Sequence, residues 1–310
     1  MKKILITSKS FGHVSEEPLE MLHAAGCETV FYNEAFDEMR FRALLSDCAG
    51  LIIGSHKLSK EAVTGAKTLK IVSKHGAGLD NIDLPLMKRL GITVTNVPAV
   101  NANAVADLTF GLILDLSRGI SAAERNVRAH EWKYFIGADV YAKTLSLIGF
   151  GRIAQNVARR AAGFSMRVLV YDPYITEIPE EFLGFAELTS IEDALRNADV
   201  VSVHVPLNDS TRDLIAADEF RMMKPLCLIV NTSRGGVINE NDLCEALREG
   251  RIGGAALDVL ENEPVRACEP LLRFDRVIIT PHMGMYSFEA VNQVSLIAAQ
   301  NIIEHLPDLE

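Results

Sequence analysis

Paired cysteines, long apolar runs and an excess of positive charge are all missing from this sequence, and each gap removes a class of protein. The five cysteines (Cys27, Cys48, Cys227, Cys244 and Cys268) are scattered, odd in number and free of any C-x-x-C spacing. That pattern argues against a disulfide framework or a zinc site and for reduced thiols in a cytosolic protein, so no metal is expected. The apolar residues come in runs far shorter than the roughly 18 that span a bilayer. Met1-Lys2-Lys3 has the charge of a secretion signal, but Ile4-Leu5-Ile6 is followed at once by Thr7, Ser8 and Lys9, too short for its apolar core. Acidic residues outnumber basic ones 41 to 31, a formal charge of −10. Such a balance lacks the electrostatic footprint of a nucleic-acid binder and offers little to an anionic membrane surface. Repeats, low-complexity tracts and Ser/Gly linkers are absent as well.

What is present is 48% hydrophobic and 23% charged residues over a length of 310. That is enough to build substantial cores and too apolar for disorder. At about 150 residues per domain, the length implies two domains. Short β-branched segments at 3–8, 29–32, 50–54, 70–73 and 92–97 alternate with helix-like stretches at 18–25, 36–46, 60–66 and 84–90. Strands separated by helices of this size imply βαβ crossovers and a parallel sheet. The pattern then changes. From 103 to 130 it is helical without a proline, and a helix of that length often bridges domains. A second α/β alternation runs from 144 to about 281, and a last helical stretch, 288–303, has no strand to accompany it. The expectation is a discontinuous first domain, 1–99 plus 287–310, with 100–286 as the second.

The second alternation opens with Thr144-Leu145-Ser146-Leu147-Ile148-Gly149-Phe150-Gly151-Arg152-Ile153-Ala154. A buried strand runs into G-x-G-x-x-A and a helix follows. Gly149 permits a tight turn, Gly151 lets backbone approach a pyrophosphate, and Ala154 lets the helix sit close to the strand. The helix N-terminus adds free N–H groups and a partial positive charge. A plain glycine turn also fits these residues taken alone. The next strand, however, ends at Asp172, 23 residues beyond Gly149. An acid at that distance suits a ribose diol and would repel a 2′-phosphate, which favours NAD over NADP. A turn acid before Pro173 is the alternative for Asp172.

Three later strand ends carry unusual chemistry. Asn231-Thr232-Ser233-Arg234-Gly235-Gly236 places an arginine where a carboxylate could be gripped bidentately, although a surface Arg in an ordinary turn fits equally well. The segment 255–264 is dense in acids, and Thr280-Pro281-His282-Met283-Gly284 ends a strand in a lone histidine, the side chain best suited to move protons near neutrality. The other histidines (His13, His23, His56, His75, His130, His204 and His305) lack this setting or belong to helices.

These motifs, in this order, resemble the D-isomer-specific 2-hydroxyacid dehydrogenase family. The resemblance is collinear through 70–83 (K-I-V-S-K-H-G-A-G-L-D-N-I-D) and the glycine turn, then His204-Val205-Pro206-Leu207 with Thr211-Arg212, 231–236, 256–264 and 280–290. Phosphoglycerate dehydrogenase-like members look most similar, and with the chain ending soon after residue 290 the regulatory domain that some of them carry is not expected. The resemblance implies two doubly wound parallel-sheet domains, a flavodoxin-like substrate domain and a Rossmann NAD-binding domain. It implies that His282 is the general acid/base, Glu263 its carboxylate partner, and Arg234 the clamp on the substrate carboxylate. The loop Gly76-Ala77-Gly78 would be a second clamp, with His75 beside it shaping the substrate pocket. Gly149, Gly151, Arg152, Ile153, Asp172, His204, Pro206, Thr211, Thr232 and Asp258 would line the cofactor cleft, Asp258 bonding the nicotinamide carboxamide. Asn103 and Asp107, at the start of the long helix, would face the cleft or cap the helix. Members that bind a substrate phosphate commonly carry Arg after the third strand, where this chain has Gly54-Ser55-His56-Lys57; His56 or Lys57 would have to substitute. Ala142 before Lys143 replaces a usual glycine, with little effect expected. Formate dehydrogenases of the same fold pair the histidine with Gln, and Glu263 argues against that reading. An NAD-sensing corepressor-like binding protein is the alternative from another class. A homodimer through 104–134 is expected, with Phe110, Leu112, Ile113, Leu114 and Leu116 supplying more apolar surface than one face needs.

Overall fold

The computed structural model describes residues 2–306. Met1 and residues 307–310, with which the expected first domain begins and ends, lie outside the described residues. The chain divides into two compact units, one built from the residues up to Asn101 together with those from Met285 onward, the other from Ala102–Gly284.

In the first unit, β1 (Lys2–Ile6), β2 (Cys27–Phe31), β3 (Gly50–Ile53), β4 (Ile71–Lys74) and β5 (Thr93–Thr95) alternate with α1 (Glu17–Ala24), α2 (Glu38–Leu45), α3 (Lys60–Gly65) and α4 (Leu84–Leu90). All pairings are parallel, in the order β2-β1-β3-β4-β5. The central strands are apolar on both faces because helices cover both. Leu5, Leu51, Ile53 and Val72 point to one side, against Phe41, Leu45, Val63 and Leu86. Their neighbours Ile4, Ile6, Ile52 and Ile71 point to the other, against Leu22.

The second unit opens with α5 (Ala102–Arg118) and α6 (Ile120–Arg128), not with one helix of nearly thirty residues. Gly119 breaks it at φ +64°, a left-handed conformation that glycine adopts freely. The Asp115 carboxylate then accepts the N–H of Ser121 at 2.8 Å and starts a new helix. The sheet follows: β6 (Thr144–Ile148), β7 (Arg167–Tyr171), β8 (Ala186–Leu188), β9 (Val200–Val203), β10 (Leu228–Asn231), β11 (Gly254–Leu257) and β12 (Val277–Ile279). Between them run α7 (Arg152–Gly163), α8 (Ile191–Asn197), α9 (Ala217–Met222) and α10 (Glu240–Arg248). The strand order is β12-β11-β10-β9-β6-β7-β8, all parallel. The last helix, α11 (Phe288–His305), returns to the first unit, where Val294, Ala298, Ala299 and Ile302 complete the face occupied by Leu22. The fold is thus two parallel-sheet α/β units.

The apolar residues of α5 correct one expectation. Phe110, Leu112, Ile113 and Leu116 are buried, and Leu114 packs against the same core as Leu145, Leu147, Val157 and Ala161. They are consumed within their own unit, because α5 is held between the sheet and α7. Exposed apolar side chains lie farther on: Trp132, Tyr134 and Ile136 are 92%, 88% and 94% exposed. Among the cysteines, Cys27, Cys48, Cys227 and Cys244 are buried free thiols and Cys268 is exposed. No described helix is long and apolar enough to cross a membrane.

Candidate active site

The glycine turn leaves β6 at Gly149, whose φ is +89°. A Cβ there would stand 2.8 Å from the His204 carbonyl oxygen and 2.9 Å from Val205 Cγ1, so glycine is required both for conformation and for room. At Gly151 a Cβ would meet nothing within 4 Å, leaving that side of the turn open. Gly151 is also the N-cap of α7 and gives it no side-chain cap, so the helix keeps donors for an anion. Arg152 and Ile153 form its first turn, and Ala154 is fully buried against the sheet. Asp172, just past β7, accepts the Phe150 N–H of the turn at 2.8 Å and the Tyr174 N–H at 2.9 Å, one on each oxygen. His204, just past β9, has Nε2 2.9 Å from Ser202 Oγ, while its Nδ1 is shielded and has no hydrogen-bond partner. Burial lowers its pKa to about 3, so the ring is neutral. An orphaned buried polar atom costs about 1–3 kcal/mol until something bonds it. An open glycine turn, an uncapped helix start, an acid at the neighbouring strand end and an unsatisfied imidazole nitrogen together suit a dinucleotide.

Thr211 donates its hydroxyl to the Pro206 carbonyl at 2.5 Å and accepts the Asn208 N–H at 2.9 Å, closing the turn after β9. Thr109 donates to Val105 O at 2.7 Å, so the 2.8 Å contact between Thr109 and Thr232 is donated by Thr232, and that proton is committed inside the unit. Asp107 bonds Arg160 Nε at 2.7 Å and the Asn103 carbonyl lies 3.4 Å from the same guanidinium, so both tie α5 to α7.

The second cluster arises from strand register. Asn231 pairs with Leu257 and Leu257 with Ile279, so β10, β11 and β12 end level with one another. The loops carrying Arg234, Asp258–Glu263 and His282 therefore leave the sheet side by side, although 48 residues separate Arg234 from His282. Asp258 is buried and anchors the last loop. Its carboxylate accepts Thr280 Oγ1 at 2.6 Å and the N–H groups of Met283 and Gly284, both at 2.8 Å. Its carbonyl accepts the His282 N–H at 2.9 Å, holding His282 at φ +51°. His282 Nδ1 lies 2.7 Å from Glu263 Oε2, and Glu263 Oε1 accepts the Leu260 N–H at 3.0 Å. A carboxylate can only accept, so Nδ1 carries a proton, and Nε2 is the nitrogen that can exchange one. Burial acts to raise the Glu263 carboxyl. The bond to His282, its charge, the Leu260 amide and the Arg234 guanidinium outweigh burial and hold it below the ordinary carboxylate value. Arg234 itself is half-buried, with Nη1 donating to the Ser233 carbonyl at 2.7 Å. Asn231 shapes this loop, accepting the Ser233 N–H at 2.9 Å and donating to the Arg234 carbonyl at 2.8 Å. Gly235 has no space for a side chain, since its Cβ would stand 2.0 Å from Leu260 O and 2.5 Å from Glu261 N. A Gly-Gly pair at 235–236 was the sequence signal for this close approach, yet the contact itself joins loops 25 residues apart.

In the first unit, the 76–78 loop follows β4. The Gly76 N–H is committed to the Lys74 carbonyl at 3.0 Å, so it is not an open donor. His75 is buried and lies between Ser8 (Nδ1, 3.0 Å) and Ser295 (Nε2, 2.9 Å). Ser295 spends its proton on the Val291 carbonyl at 2.8 Å, so His75 Nε2–H donates to it and Nδ1 accepts from Ser8. Both ring nitrogens are thereby used within the unit, so neither is left to bond a ligand. Burial, with the charge of Lys74, lowers its pKa to about 4. His56 packs near Phe36 and Phe41 at 4.8 and 5.1 Å between ring centroids, its shielded Nε2 has no hydrogen-bond partner, and burial with Lys74 lowers its pKa to about 4. A neutral imidazole is a poor replacement for an arginine on phosphate.

Comparison with known proteins agrees with the chemistry at these strand ends. Residues 110–284 match the model for the D-isomer specific 2-hydroxyacid dehydrogenase, NAD binding domain. The chain is 38% identical over 305 residues to D-3-phosphoglycerate dehydrogenase of Methanocaldococcus jannaschii, covering 97% of this chain and 57% of that protein. It thus spans little more than half the length of that relative. It is 42% identical over 258 residues to glyoxylate reductase of Pyrococcus horikoshii, covering 80% of this chain and 77% of that one. Its structure is similar to the apo-structure of D-lactate dehydrogenase from Escherichia coli, with a TM-score of 0.85, 29% identity and 97% and 95% of the two chains covered. The chain belongs to the D-isomer specific 2-hydroxyacid dehydrogenase family.

Proposed function

We propose that the chain is an NAD-dependent oxidoreductase interconverting a D-2-hydroxyacid and its 2-oxoacid, with His282 as the proton carrier. The 2.7 Å bond between His282 and Glu263 is the observation that carries this reading. An alcohol loses hydride from C2 only as its hydroxyl loses a proton. With Nδ1 held by Glu263, Nε2 takes that proton, and the carboxylate stabilises the imidazolium that forms. Arg234 offers a forked donor set that grips a carboxylate at two oxygens and fixes which face of C2 is presented. When bound, NAD supplies the hydride acceptor. Gly149, Gly151, Arg152 and Ile153 would hold its pyrophosphate and Asp172 its ribose diol, with His204, Pro206, Thr211, Thr232 and Asp258 forming the rest of the wall.

A small unphosphorylated acid is favoured as substrate, because His56, at the place where phosphate-binding members carry Arg, is neutral and packed on aromatic rings. The test is NADH oxidation with glyoxylate, pyruvate, hydroxypyruvate, phosphohydroxypyruvate, branched 2-oxoacids and 2-oxoglutarate. Turnover is expected with the small acids and is weakest with phosphohydroxypyruvate; no turnover with any of them overturns the dehydrogenase reading. Nothing among the described residues favours the corepressor-like alternative.

The same reading includes a homodimer in a reducing compartment. Free thiols fit the compartment. Contiguous exposed apolar side chains mark interfaces, and Trp132, Tyr134 and Ile136 lie within five residues of one another. Light scattering at micromolar concentration would report twice the 34.0 kDa chain mass.

A further inference from the structure

We propose that Glu240, the first residue of α10, is a positioning residue for the His282–Glu263 pair: it holds the Leu260–Glu261 peptide and so fixes Leu260, whose own N–H Glu263 accepts. The inference rests on the dehydrogenase reading and adds a residue to it.

Two successive amides in the loop after β11 are gripped by two different carboxylates. Leu260 N–H donates to Glu263 Oε1 at 3.0 Å, and Glu261 N–H donates to Glu240 Oε1 at 2.6 Å. Glu263 turns its other oxygen to His282. Leu260 thus sits between two acids: the peptide on its C-terminal side is held from the helix, and the peptide on its N-terminal side by the acid that orients the histidine. Gly235 closes the opposite side, where no Cβ fits against Leu260 O. With one face blocked by backbone and its N–H held from α10, the Leu260–Glu261 peptide has one orientation; that fixes Leu260, whose own N–H, in the preceding peptide, orients Glu263.

The helix is a firm base. Asn239 caps it by accepting the Asp242 N–H at 3.0 Å and donates to Asp213 at 3.1 Å, while Leu243 and Ala246 dock it on the core. The setting of Glu240 also asks for an explanation. Glu261, Glu263 and Glu269 surround it, Cys244 lies on its own helix, and Arg212 stands 3.6 Å from Glu261. Burial and these neighbouring carboxylates push the Glu240 carboxyl up. A fourth acid among three is an unfavourable choice for stability alone, and the amide it accepts is the contact that offsets it.

The test compares Glu240→Ala, which removes the acceptor, with Glu240→Gln, which keeps one. Steady-state kinetics with NADH and the best oxoacid would be paired with amide hydrogen exchange. Glu240→Ala is expected to lower kcat about tenfold or more with KM for NADH changed less than about twofold, because a displaced acid–base group costs rate rather than cofactor binding. The Leu260 and Glu261 amides should exchange at least about tenfold faster in that variant, the scale of a lost hydrogen bond to a charged acceptor. Glu240→Gln should stay near wild type in both readouts. Wild-type kcat in Glu240→Ala, an unresponsive Leu260 amide, or a Gln variant as impaired as the Ala variant each overturns the inference. If the wild-type enzyme turns over no oxoacid, the dehydrogenase reading fails, and the exchange rates still decide whether Glu240 holds the peptide.

Discussion

At the scale of single residues, the site works through what each polar atom has left after its internal bonds are counted. His282 has one nitrogen on Glu263 and one free. His75 has both nitrogens engaged, and His204 has one with no partner. His282→Asn should therefore lower kcat at least about a hundredfold, the ordinary worth of a positioned acid–base group, and a near-wild-type kcat would remove His282 as the proton carrier. Asp172→Ala should cost NADH about tenfold or more in kcat/KM, the scale of a hydrogen bond to a charged group. NADPH should suffer less, so that the ratio of the two kcat/KM values narrows. An unchanged ratio would take Asp172 out of the ribose site. The side chains proposed to react were legible in the sequence because His282, Glu263 and Arg234 stand in a distinctive order of motifs. Their supports were not. Glu240, Thr109 and Ser295 are ordinary polar residues whose partners lie 21, 123 and 220 positions away in the chain. Nothing local marks such pairs before the fold brings them together.

At the scale of elements, strand patterns proved easier to read than helix ends. Alternating β-branched runs and helices announced parallel sheets, and the sheets formed as that pattern requires. The long helical stretch failed to form one helix because a single glycine took a left-handed conformation and a nearby aspartate offered a new start. Composition alone does not distinguish a glycine that a helix tolerates from one that ends it. Loop packing is the other element-scale feature. Gly235→Ala drives a methyl group into the backbone of the 260–261 peptide, an overpacking expected to cost about 1–3 kcal/mol. For a domain of this size that lowers Tm by roughly 2–12 °C, and thermal melts followed by circular dichroism would measure it. A variant as stable as wild type would show that the two loops separate easily.

At the scale of the whole molecule, charge and titration act over all elements together. The formal charge of −10 belongs to a chain whose family binds an anionic dinucleotide and an anionic acid. In the proposed reading, local devices meet those anions: the start of α7 and the Arg234 guanidinium. The buried histidines set a global pH response. His56, His75 and His204 fall to about 4, 4 and 3 in the folded protein, against 6.5 when exposed. Between about pH 4 and 6.5 the unfolded chain binds these protons and the folded one does not, so stability is full above 6.5 and declines as pH falls. The decline has a slope of about 1.4 kcal/mol per pH unit for each proton of difference. Glu263 acts in the same direction lower on the scale, because its depressed carboxyl contributes stability above its ordinary value near 4.5 and loses it as pH drops further. Melting temperatures at fixed ionic strength from pH 7.5 to 5 should fall steadily, and a flat profile would mean that these rings are solvated.

The distribution of thiols makes the molecule open to observation by selective chemistry. Burial raises Cys27 and Cys244 and brings Cys48 and Cys227 to about 11 and 12, so four sulfurs stay protonated and out of reach of electrophiles. Cys268 alone is exposed, five residues beyond Glu263 on the same loop. A maleimide fluorophore would therefore attach at one place in the native protein with no engineered background, and its emission would follow the loop beside the His282–Glu263 pair in real time.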